Sequence, residues 1–162
     1  MNSHDAKQRA ENLLQEALRE QGAENYATAE ELYKKSIAEY PTAEAHTFLG
    51  WTYSFMGRLD DAIAQCRQAI AVDPAFGNPY NDIGSYLMKQ GKMEEAIGWL
   101  ERAKSAPRYE PRHFPYLNLA RIYLAVGKFE QASREFAQAQ FLHREIMHGG
   151  RGEGDPSQDT LN

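Results

Sequence analysis

The side chains able to do chemistry are few and scattered. The five histidines are His4, His46, His113, His143 and His148. No pair has the i, i+4 spacing that sets two imidazoles on one helix face for a metal, and His143 and His148, five apart, fall on different faces. One cysteine, Cys66, excludes a disulfide framework within the chain and a multi-cysteine zinc site. Asp60-Asp61 and Glu94-Glu95 are adjacent carboxylates, the residue type of an acid–base pair. Each pair stands where a helix begins, so its favoured role is to complement the positive end of the helix dipole. No glycine loop followed by lysine and Ser/Thr is present to cradle phosphate, and Gly149-Gly150-Arg151-Gly152 has no strand before it. Arg108, Arg112 and His113 beside Tyr109 and Phe114 mix base and aromatic as nucleic-acid surfaces do. Pro107, Pro111 and Pro115 in the same stretch favour a plainer reading, an extended loop between elements. The residues present thus offer no catalytic, cofactor-binding or metal-binding set, and a non-enzyme is expected.

Composition narrows the classes further. Lys plus Arg number 18 and Asp plus Glu 23 in 162 residues, a net charge of −5, which disfavours non-specific binding to nucleic acid or anionic membrane. Hydrophobic residues make up 42%, enough for a packed core. No run of eighteen apolar residues occurs, and the polar start Met1–Arg9 reads as neither signal peptide nor anchor. The expected compartment is the cytoplasm.

The elements that position these residues repeat. Ala29, Ala62, Ala96 and Ala132 are 33, 34 and 36 residues apart. Leu49-Gly50 and Tyr53 recur as Ile83-Gly84 and Leu87, then as Leu119-Ala120 and Tyr123, and Gly57, Gly91 and Gly127 keep step. Such a period marks an array. Within it the apolar residues recur at three- and four-residue spacings, Leu59, Ala62, Ile63, Cys66, Ala69 and Ile70 for example, which is helical. Gly57 reads as a stop and turn, and Pro74 ends the second helix. Small residues on both helices, such as Gly50 and Ala62, permit close approach. Cys66 then shares a column with Tyr33, Leu100 and Phe136 and reads as a core residue.

These columns resemble the tetratricopeptide repeat family, a 34-residue helix–turn–helix unit with Trp-x2-Leu-Gly-x2-Tyr, Ala-x3-Phe and a terminal proline. Residues 43–76 carry His46, Leu49, Gly50, Tyr53, Ala62, Cys66 and Pro74; residues 77–112 carry Tyr80, Ile83, Gly84, Leu87, Ala96 and Leu100. Residues 113–146 carry Tyr116, Leu119, Ala120, Tyr123, Ala132 and Phe136. Residues 8–42 form a degenerate first copy, with Gln15 at the small-residue position and a turn after Gly22 that reads as two residues longer. The resemblance implies an all-α, right-handed helical solenoid of about four repeats spanning 8–148. It is flanked by a disordered N-terminus, 1–7, and a disordered glycine-rich tail, 149–162. Ser133 and Gln140 stand where earlier units have Ile63 and Ile70, so a polar end to the array is expected, with Phe141, Leu142 and Ile146 as an apolar strip on an extended last helix.

The resemblance also implies that the first helices line a concave side. Opposite their core columns lie the second, fifth, ninth and twelfth residues of each unit. In the first unit these are the polar Arg9, Asn12, Glu16 and Arg19. Farther along they and their neighbours supply the candidate protein-binding groove: Trp51, Phe55, Asn78, Asn81, Ser85, Met88, Phe114, Leu117, Arg121 and Leu124. Thr47, Trp51 and Ser85 depart from the lysine–asparagine–arginine set with which some members grip a C-terminal carboxylate. The sixth residues, Leu13, Phe48, Asp82 and Asn118, do not make an asparagine ladder. The expected function is an adapter that holds a peptide or helix of another protein, without nucleic acid, membrane or cofactor. Alternatives are a secretion or assembly chaperone, since Glu110-Pro111-Arg112 with Phe114-Pro115 is similar to type III translocator chaperones, an enzyme's regulatory subunit, and a scaffold that self-associates weakly through its last helix.

Overall fold

Each helix in this chain has one apolar stripe and a small residue at its crossing point, so it pairs closely with its neighbour. In a computed structural model, residues 2–149 of the chain are described. The sequence reading of a tail over 150–162 lies outside the described residues, as does Met1. Eight helices follow in order among the described residues: α1 Ser3–Gly22, α2 Tyr26–Glu39, α3 Ala43–Phe55, α4 Leu59–Val72, α5 Asn78–Lys89, α6 Met93–Ser105, α7 Phe114–Ala125 and α8 Phe129–His148. Each odd helix pairs with the even helix after it, and each pair stacks on the pair before. The backbones of consecutive first helices α1, α3, α5 and α7 approach one another, while the second helices stand farther apart and meet through long side chains, such as Lys104 on α6 with Glu135 on α8. The stack therefore curves with its first helices on the inner side, the expected solenoid of four units.

Local chemistry sets the boundaries. Thr42 caps α3, its hydroxyl oxygen accepting from the Ala45 N–H at 3.1 Å. Pro79 and Pro115 stand in the first turns of α5 and α7, where a missing N–H costs no helical bond. Gly57, Gly91 and Gly127 take φ of 76°, 78° and 77° in the three-residue turns, a conformation open to glycine. At the crossings, a Cβ on Gly50 would lie 3.2 Å from the Ala62 carbonyl oxygen and 3.3 Å from Cys66 Sγ. Cys66 is fully buried, and burial pushes its thiol well above the ordinary range, so it is a packing residue.

The first unit differs from its expected register. Gly50–Ala62, Gly84–Ala96 and Ala120–Ala132 are each twelve residues apart, and so is Ala17–Ala29. Ala17, not Gln15, is the small crossing residue, and it is fully buried. The turn after α1 is no longer than the others; Glu24 takes the positive φ, 62°, that glycines take elsewhere. Gly22 resembled the turn glycine but ends the helix two residues earlier. The groove positions of this unit accordingly move by two, to Glu11, Leu14, Leu18 and Gln21, which is less charged than the sequence reading expected. The expected disordered N-terminus over 1–7 is also corrected, because α1 begins at Ser3. The Asn2 side chain accepts from the His4 N–H, Asp5 stands in the first turn, and Lys7 lies over the Tyr40 ring.

The proline-rich link, 106–113, is clamped. Its Arg108 N–H donates to the Ala75 carbonyl at 3.0 Å, and the Gly77 N–H donates to the Arg108 carbonyl at 2.9 Å. The Arg108 guanidinium bonds Glu44 and Asp73 and covers the Phe76 ring, which holds the Asp73 carboxyl below its usual range. Tyr109 is buried against Gly77, where a Cβ would lie 2.4 Å from its own. Arg108 and Tyr109 are therefore spent on packing, and the nucleic-acid reading of this stretch loses its central residues.

Candidate protein-binding groove

The inner helices bring their polar side chains into one chain of hydrogen bonds. Trp51 on α3 is half-buried, edge-on to Phe48, and its Nε1–H donates to Asp82 Oδ2 on α5 at 2.5 Å. Asn81 also bonds the Asp82 carboxylate. The Asn81 Oδ1 accepts from Asn118 Nδ2 on α7 at 3.0 Å, and Asn118 Oδ1 accepts from the Arg121 guanidinium at 3.2 Å. Every amide in the chain thus donates toward Asp82 and accepts from the side of Arg121, so the dipoles point one way and reinforce one another. The relay joins a cation in the fourth unit to a carboxylate in the third and an indole in the second.

Asp82 is the unusual member. No cation lies within ion-pair distance of it among the described residues. Burial raises its carboxyl to about 7, against the opposing pull of the Trp51 and Asn81 donors and of Lys89. Its field helps to raise the neighbouring Tyr86 phenol, which burial already holds far above its usual value and which bonds Ser54.

Other groove candidates are placed apart. Ser85 and Met88 sit half-buried on α5 beside the relay. Phe55 is exposed and stacks on Tyr26 at 5.5 Å, where α2 begins. Asn78 lies at the clamped link, its Oδ1 buried without a partner, beside a cavity of about 380 Å³ lined by Phe76, Pro107, Arg108, Tyr109, Glu110 and Arg112. Phe114 is exposed and packs on His113 at 4.4 Å. Leu117, Arg121 and Leu124 line an open trough at the end of the array with Phe129, Ser133 and Phe136. The structure therefore joins Trp51, Asn81 and Arg121 through hydrogen bonds, places Leu117 and Leu124 with Arg121 along the trough, and sets Phe55, Asn78 and Phe114 at other places.

Sequence reasoning passed over Asp82 and Asn118 as binding residues. The available signal was their shared sixth column, polar where Phe48 is apolar; polar residues on a packed face need partners. It also had no means of pairing His113 with His143, whose rings meet at 4.9 Å across α7 and α8. Burial and the neighbouring imidazole lower His113. No group of three or more His, Cys, Asp or Glu among the described residues is placed to share a metal.

Sequence models described as "Tetratricopeptide repeat" match residues 49–111 and 115–140. The chain belongs to the tetratricopeptide repeat family. It is similar to the "Small glutamine-rich tetratricopeptide repeat-containing protein 2" of Mycosarcoma maydis, with 32% identity over 90 residues, 55% of this chain and 26% of that protein. A second relative is the "TPR repeat-containing thioredoxin TTL4" of Arabidopsis thaliana, 29% identical over 73 residues, 44% of this chain and 11% of that one. The chain thus spans about a quarter and a tenth of these relatives. Among solved structures, PilF of Pseudomonas aeruginosa superposes with a TM-score of 0.79 at 25% identity, covering 87% of this chain and 64% of that one. MamA superposes at 0.73 with 22% identity, covering 85% and 80%. PilW, a type IV pilus biogenesis factor, superposes at 0.73 with 19% identity, covering 80% and 60%. These likenesses establish the tetratricopeptide solenoid, and repeats of this family generally serve as protein-interaction scaffolds. No helix of the described residues is long and apolar enough to cross a membrane.

Proposed function

We propose that this tetratricopeptide protein is a non-catalytic cytoplasmic adapter. Its inner face holds an acidic peptide or helix segment of another protein across α3, α5 and α7. The observation that supports this most is the relay, which ends in Arg121. One guanidinium N–H is held by Asn118, and no carboxylate among the described residues forms an ion pair with it. A guanidinium so oriented is prepaid in entropy for a carboxylate on a ligand. Ser85 and Met88, half-buried beside the relay, offer such a ligand a hydroxyl and an apolar contact. Trp51 is less suited as an anchor than its type suggests, because its N–H serves Asp82.

Capture of partners from native lysate by wild type, Arg121→Glu and Ser85→Arg tests the reading. All three are first shown by circular dichroism to melt alike. A protein held by wild type and lost from both variants, whose isolated segment then binds wild type by calorimetry, is the expected result. Equal capture by all three would place the binding face elsewhere. An assembly-chaperone reading draws support from the printed role of PilW in pilus biogenesis, and a captured client that aggregates without this protein would favour it.

A further inference from the structure

The end of the array expected to be polar from Ser133 and Gln140 also exposes Leu124, Phe129 and Phe136, which corrects that expectation. Near it lies a cluster of different character. Helix α8 has 20 residues where α2 and α4 have 14 and α6 has 13. Counted from Phe129, a helix of 14 residues would stop at Leu142, so His143 stands on turns that the other second helices lack. Those turns come back over the start of α7, where His113 is the N-cap residue. The two rings meet at 4.9 Å, with 66° between their planes. Together with Leu117, Ala139 and Gln140 they line a cavity of about 200 Å³. His113 Nδ1 is buried and makes no hydrogen bond, a state that buried polar atoms rarely keep without a ligand. His143 is exposed, and no described residue bonds its ring nitrogens. The ring of His46, by contrast, is committed to Gln65 at 2.8 Å.

We propose that His113 and His143 together bind one divalent transition-metal ion of the zinc class, which pins the extended end of α8 to the start of α7. The ring spacing is that of a chelating pair. An imidazole nitrogen lies ~2.1 Å from bound zinc and its ring centre about 1.1 Å farther back, so two rings sharing one ion at tetrahedral to octahedral angles have centres roughly 4.5–5.3 Å apart. The 4.9 Å separation falls inside that window. Stacked rings would hold their lone pairs in parallel planes that never meet, whereas these planes cross. His143, unbonded and exposed, is free to turn its nitrogen toward the ion. No Asp or Glu lines the cavity, which disfavours the oxygen-seeking Mg²⁺ and Ca²⁺, while imidazole suits Zn²⁺. Gln140, three residues before His143 on the same face of α8, adds an amide oxygen, and water completes the shell. With two imidazoles the site is a reversible clasp rather than a closed structural centre.

Calorimetry of the full chain with Zn²⁺, free of any added histidine tag, is the test. The expected result is one ion per chain, bound at least ~tenfold more weakly by His113→Ala and, separately, by His143→Ala. Zn²⁺ should raise the melting midpoint of wild type and leave that of His143→Ala unchanged. Because His143 is exposed, that variant should melt like wild type without metal. A double variant of the exposed His4 and His148, both to alanine, should keep the ion, and Mg²⁺ should give no heat. A wild type that takes up no Zn²⁺ at millimolar concentration overturns the proposal. So does uptake that survives His143→Ala, or uptake lost in the His4 and His148 double variant. None of these variants touches Arg121, Asn118 or Ser85, so failure here leaves the inner-face reading standing.

Discussion

The two ends of this array are built from the same motif and meet water differently. At the amino end, α1 turns Lys7, Glu11, Gln15 and Arg19 outward, and its crossing residue Ala17 is sealed within its own pair. At the other end, α7 and α8 present Leu124 at 59%, Phe129 at 69% and Phe136 at 48% exposed. Phe136 fits the family's Ala-x3-Phe pattern better than Cys66 does, yet Cys66 is the buried one. A motif position in a solenoid specifies which way a side chain points; a neighbouring unit decides whether it leaves water.

The largest effect that could break this comparison is energetic. Leu100→Ala should cost about 2–5 kcal/mol in urea unfolding, because it empties a sealed site. Phe136→Ala, in the same column and larger by volume, should cost less than about 1.5 kcal/mol, because water already reaches the ring. Equal losses would show that the end is as well packed as the interior.

An intermediate effect sharpens the account of the middle of the array. The unfolded chain releases the Asp82 proton near ~3.9, while the fold keeps it until about 7. Below the first value both states are protonated and Asp82 has no pH effect. Between the two the folded state binds the extra proton, so stability declines as pH rises, and the loss is complete above 7. Wild type should therefore be about 4 kcal/mol less stable at pH 8 than at pH 4 on this account alone, and Asp82→Asn should remove that slope. A variant whose stability keeps the same slope as wild type would place the titration elsewhere.

The smallest expected effect separates the first turn from the other three. Glu24→Gly should stabilise by about 0.5–1 kcal/mol, since a positive φ is strained for glutamate and free for glycine. Gly57→Ala should shift stability the opposite way by about 1 kcal/mol. A destabilised Glu24→Gly would mean that the Glu24 side chain contributes more than its strain costs.

The repeat architecture was legible because close helix crossings tolerate only small residues, and Gly50, Ala62, Gly84, Ala96, Ala120 and Ala132 recur at the spacing those crossings need. The first unit was misaligned by two because Gly22 stands near the turn and Glu24 does the work of the turn glycine. Arg121 and Asn81 were picked out by periodicity alone. Asp82 and Asn118 were not, because the reason for a polar residue in that column is a partner 31 or 37 residues away, on the next unit. The clamp of Arg108 on Glu44 and Asp73 was hidden in the same way.

The sequence by itself determined the helix pairs, their order and their crossing points, since these depend on propensity, turn chemistry and side-chain size within some 34 residues. Only the tertiary structure decided which polar residues find one another across units, which carboxyl is held protonated near neutrality, and which end of the array keeps its apolar column in water. Those outcomes depend on desolvation by whatever packs alongside, and desolvation is a property of neighbours in space rather than along the chain.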